Sequence, residues 1–491
     1  MRPGSDATIW VAVGWLLLLL LAWFALPRRL PEAARWPRAH PALTVALAAA
    51  LARLVPTFAL DRGLFYDVDA HWFIGSIVLS GRNVYVAPLA QGRYPYPPLL
   101  HEYLSALLVW LARGDRAAFL ALDKLAPDLC GVGVAVVVWA MARRLGRGDT
   151  VALSAGLLYA LNPVPVLVTA YHGQFEEIPL LFIGLAALLL VGLPAARHPR
   201  AGTVILSGLL LGIGIAYKIW PVLFLPPLAL LASGWGAKGT SGAPGRVGAG
   251  VRRVETWALY GACCLVPLGM TLGGYGLLFG REGVRQAIKG VTGYVGANNF
   301  CWGYVGVLRS CWAHPAWSRP NQWVLGLNKE LLVAGLLLAG ALLLVRRRPL
   351  EGLVTLPLVF LLFSPGWGPD YSVWVLPVAL AIYPAVGRWY TALVLPVVAV
   401  TYLDSLYASY AHVDFSWSVL KPIEAGLGLL GWVGVVALLA GVYVLPSRAG
   451  AAEIMDDSVV ERDTPIGVSG GHPRGVDYGR SLREGSALSS E

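Results

Sequence analysis

Charge is what this sequence has least of. Only 13% of its 491 residues are Asp, Glu, Lys or Arg, while 57% are hydrophobic. A soluble domain carries roughly 25% charged residues, so the shortage excludes one and points to a polytopic membrane protein. No polar stretch is long enough to form a separate soluble domain. Cysteine is also scarce, at five residues. Cys130, Cys263 and Cys264 sit within apolar runs. Cys301 and Cys311 share a polar stretch and read as thiols in apolar surroundings, with a disulfide the alternative in an oxidising compartment. No small-residue cleavage site follows the N-terminal apolar run 7–26, which is followed instead by Arg28, Arg29, Arg35 and Arg38. It reads as a retained helix and not a signal peptide. No internal repeat is evident, which weighs against a transporter built from repeated halves.

What is present is a series of apolar runs near 7–26, 41–60, 117–141, 150–171, 174–193, 201–218, 219–232, 256–279, 331–345, 351–364, 371–386, 390–404 and 425–445. About 20 residues are needed to cross the hydrocarbon core as a helix. The expected architecture is therefore all-α and polytopic, with about 13 transmembrane helices. The run 99–112, interrupted by His101 and Glu102, is short for a crossing and suits an interfacial helix. If it does not cross, six short loops fall on one side and hold 17 Lys and Arg in about 60 residues; the other side holds 12 in more than twice the length. The positive-inside bias then makes the loops 61–116 and 281–330, the turn 171–174 and the stretch 364–371 extracytoplasmic. The net charge of +10 follows from that bias, so nucleic acid is not expected as a partner. Three regions are expected: 1–40 as an additional N-terminal helix and basic loop, 41–445 as the membrane catalytic domain, and 446–491 as a disordered cytoplasmic tail.

Polar residues near membrane depth are costly and mark function. The first long loop carries Asp67 and Asp69 two residues apart, just outside an apolar span. Such an acidic pair ahead of many spans points to chemistry at the lipid surface. Lys124 and Asp128 lie four apart on one helix face and are expected to pair with one another, with substrate contact the alternative. Lys218, in Tyr217-Lys218-Ile219-Trp220-Pro221, is either a snorkelling lysine or a ligand for a lipid phosphate. Tyr171-His172-Gly173-Gln174-Phe175-Glu176-Glu177 packs a histidine, an amide and two carboxylates into one hairpin, so His172, Gln174 and Glu176 are candidates. In 281–330, Lys289, Asn298, Asn299, Trp302, Tyr304 and Arg309 mix cations, amides and aromatics. That composition suits sugar stacking and phosphate pairing, and interfacial anchoring equally.

Phe65-Tyr66-Asp67-Val68-Asp69, then Ser80-Gly81-Arg82-Asn83-Val84-Tyr85 and Tyr94-Pro95-Tyr96-Pro97-Pro98-Leu99 resemble the first luminal loop of the GT-C glycosyltransferase superfamily. The likeness is nearest to the catalytic subunit of GPI mannosyltransferase I and to prokaryotic polyprenyl-phosphate-mannose-dependent mannosyltransferases. Asn162-Pro163, Gly173-Gln174, Tyr217 to Pro221, and Asp370-Tyr371 with Trp374 and Pro377 keep the family's order over about 41–445. Two positions depart from the pattern: Asp370 stands where an amide is frequent, and His71 where an aromatic is.

The resemblance implies a GT-C-type fold and inverting transfer of a hexose, mannose first, from a polyprenyl- or dolichyl-phosphate sugar. The acceptor would be a lipid-linked or glycan hydroxyl on the extracytoplasmic face. It adds His71, Arg82, Tyr96, Asp370 and Tyr371 to the substrate-binding candidates. A sugar phosphomonoester has an activated leaving group, so the enzyme chiefly needs a base and cations for the departing phosphate. A carboxylate supplies the first; Lys218, His172, Arg309 or Lys289 supply the second. An Asp-x-Asp pair can hold a divalent metal against a diphosphate, but a monophosphate donor makes one less necessary, and no cofactor is expected. By its spacing to Gly81 the resemblance favours Asp67 as base, with Asp69 as its partner; the reverse stays open. A flippase of lipid-linked saccharides, a different lipid-phosphate sugar and a non-catalytic subunit are the competing classes.

Overall fold

Apolar segments too long to stay in water, broken by Pro, Gly and short charged turns, fold here into helices alone. A computed structural model describes residues 5–33, 35–60, 65–87, 94–192, 199–234, 246–293, 300–308, 318–346, 348–364, 366–411 and 418–444. Residues 61–64, Asn298, Asn299, Arg309, Cys311 and the tail 446–491 lie outside them. No strand occurs among the described residues.

In chain order the helices are α1 (Ser5–Ala33), α2 (Arg35–Ala39), α3 (Pro41–Phe58) and α4 (Phe65–Leu79). There follow α5 (Leu100–Ala112), α6 (Arg116–Arg144), α7 (Asp149–Ala160) and α8 (Pro163–Val166), then α9 (Glu177–Leu190), α10 (Ala201–Tyr217) and α11 (Leu225–Ala232). α12 (Arg246–Thr292) is broken at Gly280, where φ is +68°. The remainder are α13 (Gly303–Gly306), α14 (Ser318–Arg346), α15 (Pro349–Phe363), α16 (Leu376–Ile382), α17 (Pro384–Ala411) and α18 (Lys421–Val444). The described residues up to Val442 belong to one compact unit.

Among the described residues eight helices are long and apolar enough to cross a membrane, so the chain is an integral membrane protein. Five of the expected spans are short helices. Glu177–Leu190, Ala201–Tyr217, Trp220–Ala232, Pro349–Phe363 and Pro369–Ile382 each fall below the length of a straight crossing. Proline and the chemistry of the site explain this: Pro221, Pro369 and the 172–176 turn end regular helix early, where polar side chains must converge. α5, with 13 residues, spans about 20 Å at 1.5 Å per residue, well short of a 30 Å hydrocarbon core.

Burial sorts the helices into an inner and an outer set. The span Asp149–Tyr171 is 89% buried, whereas Trp10–Pro31 and Gly326–Arg346 are each 17% buried and present their apolar surface outward. α6, α7, α9, α15, α16 and α17 contribute most of the main core. α4 lies over this core between two smaller apolar clusters. Ala70, Ile74 and Ile77 pack with Val84 and Tyr94, and Val68 packs with Leu108, Val109 and Phe119. Asp115 caps α6, accepting from the backbone N–H of Ala117 at 2.8 Å, and so sets where that helix starts beneath α4.

Within the core lies a buried charge network. Arg53 on α3 donates to Glu177 at 3.2 Å and lies 3.6 Å from Asp128. The Tyr159 hydroxyl donates to Glu177 at 2.6 Å, and Thr57 donates to Asp128 at 2.5 Å. Lys124 donates to the carbonyls of Pro56 and Leu60 at 3.2 and 2.8 Å. Lys124 and Asp128 thus take part in a wider network than the mutual pair expected of them, because α3 brings its own arginine and open carbonyls against α6.

Candidate active site

Residues 167–177 organise the site. After α8 the chain forms a π-helical turn over Leu167–Tyr171, with the His172 N–H bonded to the Leu167 carbonyl at 3.0 Å. Such a turn widens the helix by one residue and recurs at functional sites. Gly173 then takes φ +90°, where a Cβ would also come 3.0 Å from Val68. Only glycine fits both demands. The turn sends His172 and Gln174 toward α4 and Glu176 the other way, toward the end of α10.

On the α4 side, His172 Nε2 lies 2.9 Å from Asp67 Oδ2 and its Nδ1 lies 3.0 Å from the Tyr402 hydroxyl. His172 is buried while the Asp67 side chain stays 30% exposed. Burial pushes the Asp67 carboxyl up. The hydrogen bond and charge of His172, the charge of His71 and a hydrogen bond from Gln174 outweigh this and hold it below the usual carboxylate value. Asp67 is therefore an ionised acceptor with an open side.

Asp69 does not join it. Two residues apart on a helix means about 200° apart around its axis, so the acidic pair splits. Asp69 pairs instead with Arg116 at the start of α6, which also lies over the Trp72 ring at 4.9 Å. Both partners of that pair are substantially exposed, and the contact fastens α4 to α6. The side chain that bonds Asp67 is His172 and not Asp69. His71 is buried against Asp123 at 3.0 Å, with its ring 4.8 Å from those of both His101 and Phe175.

On the other side of the turn, Lys218 bonds Glu176 and lies 3.5 Å from Asp370. The rings of Phe175 and Tyr96 lie 5.0 and 5.1 Å from its ammonium. Burial works against that ammonium, but Glu176, Tyr96 and Asp370 together hold it charged, above its ordinary value. Glu176 also accepts from the indole N–H of Trp220 at 2.9 Å and of Trp374 at 3.1 Å. Those two indoles stack at 4.2 Å, and Tyr371 leans on Trp374 at 4.5 Å. Lys218 is thus neither a snorkelling lysine nor a lone cation for phosphate, because two carboxylates already flank it.

Of the sequence candidates, Asp67, His71, Tyr96, His172, Gln174, Glu176, Lys218, Asp370 and Tyr371 gather at this end of the bundle. Arg82 is exposed and donates to Ser80 at 2.9 Å, away from the group. Lys289 is exposed on the second half of α12. Asn298 and Arg309 lie outside the described residues. Tyr402, Asp123 and Trp220 were missed as site residues. Tyr402 stands in an apolar span with no motif around it, and no signal short of the fold would have found it.

Residues 97–239, under a third of the chain, match the model of the family described as dolichyl-phosphate-mannose-protein mannosyltransferase. The matched stretch contains His172, Gln174, Glu176 and Lys218 and excludes Asp67, Asp370 and Tyr402. This match and the all-helical, many-span architecture together support a membrane glycosyltransferase of GT-C type, a mannosyltransferase foremost.

Proposed function

We propose that this protein transfers a hexose, mannose first, from a polyprenyl- or dolichyl-phosphate sugar to a hydroxyl of a lipid-linked or glycan acceptor, on the extracytoplasmic face, with inversion. The observation that carries this reading is the Asp67–His172–Tyr402 string: an ionised, part-exposed carboxylate whose orientation is set from behind by a buried histidine.

Asp67 receives the acceptor's hydroxyl proton as the acceptor oxygen attacks the anomeric carbon. The bond from that carbon to the phosphate oxygen breaks on the opposite face, and its electron pair leaves with the lipid phosphate. A base in such a displacement has only to be ionised and in place when the proton departs. His172 and Tyr402 keep it in place. Lys218 between Glu176 and Asp370, beside Tyr96 and Trp374, presents carboxylates and aromatic faces suited to sugar hydroxyls and ring C–H groups. The departing phosphate falls to cations of the 281–330 region, Lys289 and Arg309 among them.

The test is to incubate purified protein with radiolabelled polyprenyl-phosphate mannose and host lipid extract, and to identify labelled product by mass spectrometry. Transfer by the wild type and its loss in Asp67→Asn are expected. Lipid translocation without transfer from any lipid-phosphate sugar would establish a flippase instead.

A further inference from the structure

A further group of buried charge lies between α17, α18 and the segment 300–308. Lys421 on α18 stands 3.2 Å from Asp404 on α17 and 2.7 Å from Glu424, one turn along its own helix. All three side chains are at most 5% exposed. Glu424 is the hub. Its Oε1 also accepts from the Thr401 hydroxyl at 2.9 Å and from the backbone N–H of Cys301 at 3.0 Å. The same face of α18 continues through Gly428, where a Cβ would clash with the Cys301 carbonyl, so glycine there lets the two backbones meet.

A buried ion pair adds little stability over an apolar pair of the same volume, and its best-attested use is to fix register. Which register is fixed here follows from α17. Thr401 and Asp404 are three apart and share the face turned to α18. Tyr402 stands about 100° round the helix from Thr401 and about 200° from Asp404, on the side that meets His172 Nδ1 at 3.0 Å. A slip of α17 by one residue would carry the phenol about 1.5 Å along the axis and about 100° around it, and that contact would be lost. We propose that Glu424, with Lys421 and Asp404, is the positioning residue for Tyr402: the trio locks α17 against α18 and the segment 300–308, and so holds the phenol behind His172. The inference rests on the reading of Asp67, His172 and Tyr402 as a base and its support. Because Cys301 belongs to the 281–330 region, the same carboxylate also joins the region given the departing phosphate to the helix behind the base.

Two readouts test it, and the first needs no transfer. A fluorinated tyrosine is placed at position 402 of the full chain, and its fluorine resonance is recorded in detergent well below the unfolding midpoint. A shifted or broadened resonance is expected in Glu424→Gln; an unchanged one would overturn the proposal. The second is a double-mutant cycle on transfer. Glu424→Gln should lower kcat about tenfold with KM little changed, the scale of one lost charged hydrogen bond. Combined with Tyr402→Phe it should lose about the same tenfold, and not the roughly hundredfold of independent losses. Losses that multiply would overturn the proposal, because a carboxylate that only supports the fold acts by routes other than Tyr402. Thr401→Val removes just the hydroxyl and carries the same two expectations should Glu424→Gln not fold. If the wild type transfers nothing, the reaction reading fails, while the resonance still decides whether the trio places Tyr402.

Discussion

Two clusters of buried charge lie on either side of one short segment, and they differ in what they leave open. Glu177 faces Arg53, Asp128 and Tyr159 in a network in which Arg53 and Glu177 have almost no exposed surface. Five and three residues before it in the chain, His172 and Gln174 hold Asp67, which keeps 30% of its side chain open. Both clusters anchor a carboxylate with opposite charge or hydrogen bonds. Only the second leaves that carboxylate a free approach, and that separates a reactive group from a structural one better than burial or charge alone.

The largest expected effect breaks the open cluster without touching the closed one. Asp67→Asn should lower transfer by about 10²- to 10⁴-fold, the range a general base contributes, while yield and thermal unfolding stay as in wild type. Near-normal turnover would remove Asp67 from the chemistry.

Breaking the closed cluster should do the opposite. Glu177→Leu leaves Arg53 only its 3.6 Å contact with Asp128 and the Tyr159 hydroxyl without its acceptor, and should cost about 3–5 kcal/mol, read as a large drop in the unfolding midpoint in detergent. If the variant kept its midpoint, the network would not be the structural element described here.

Tyr402→Phe sharpens the contrast. It removes one hydrogen bond behind His172 and should reduce kcat about tenfold with KM little changed, in line with 1–1.5 kcal/mol for such a bond. A rise in KM alone would place Tyr402 in substrate binding. Asp69→Asn should matter least. Its pair with Arg116 is exposed, such pairs are worth about 0–1 kcal/mol, and transfer should stay within a few fold.

The pH dependence has a definite sign. The carboxyl of Asp67 is held below its model-compound value of 3.8 in the folded protein. Its contribution to stability is complete above that value and is lost as pH falls through the lower, folded one. The acid limb of kcat/KM assigned to Asp67 should accordingly lie below pH 3.8. A limb near pH 5 that disappears in Asp67→Asn would contradict this environment.

Much of this was legible beforehand, for reasons particular to each residue. The helices announced themselves through apolar length. The 171–177 hairpin stood out because a histidine, an amide and two carboxylates are expensive to place near lipid without a use. Asp67 and Asp69 were visible as a pair but not as a divided one, since their separation depends on α4 beginning before them. Lys218 was visible as a cation at the end of a span, yet its two carboxylate neighbours come from segments 42 and 152 residues away in the chain. Arg53 and Glu177 were invisible as partners for the same reason.

Composition, hydropathy and loop charge were enough to make this chain a many-helix membrane protein and to pick out segments whose polar residues gather at one end of the bundle, because the cost of burying a charge in hydrocarbon is already written into residue order. Which carboxylate stays open, which histidine stands behind it and which lysine is neutralised were settled by helix packing. Those outcomes depend on a few ångströms between residues far apart along the chain, and no local pattern encodes such distances.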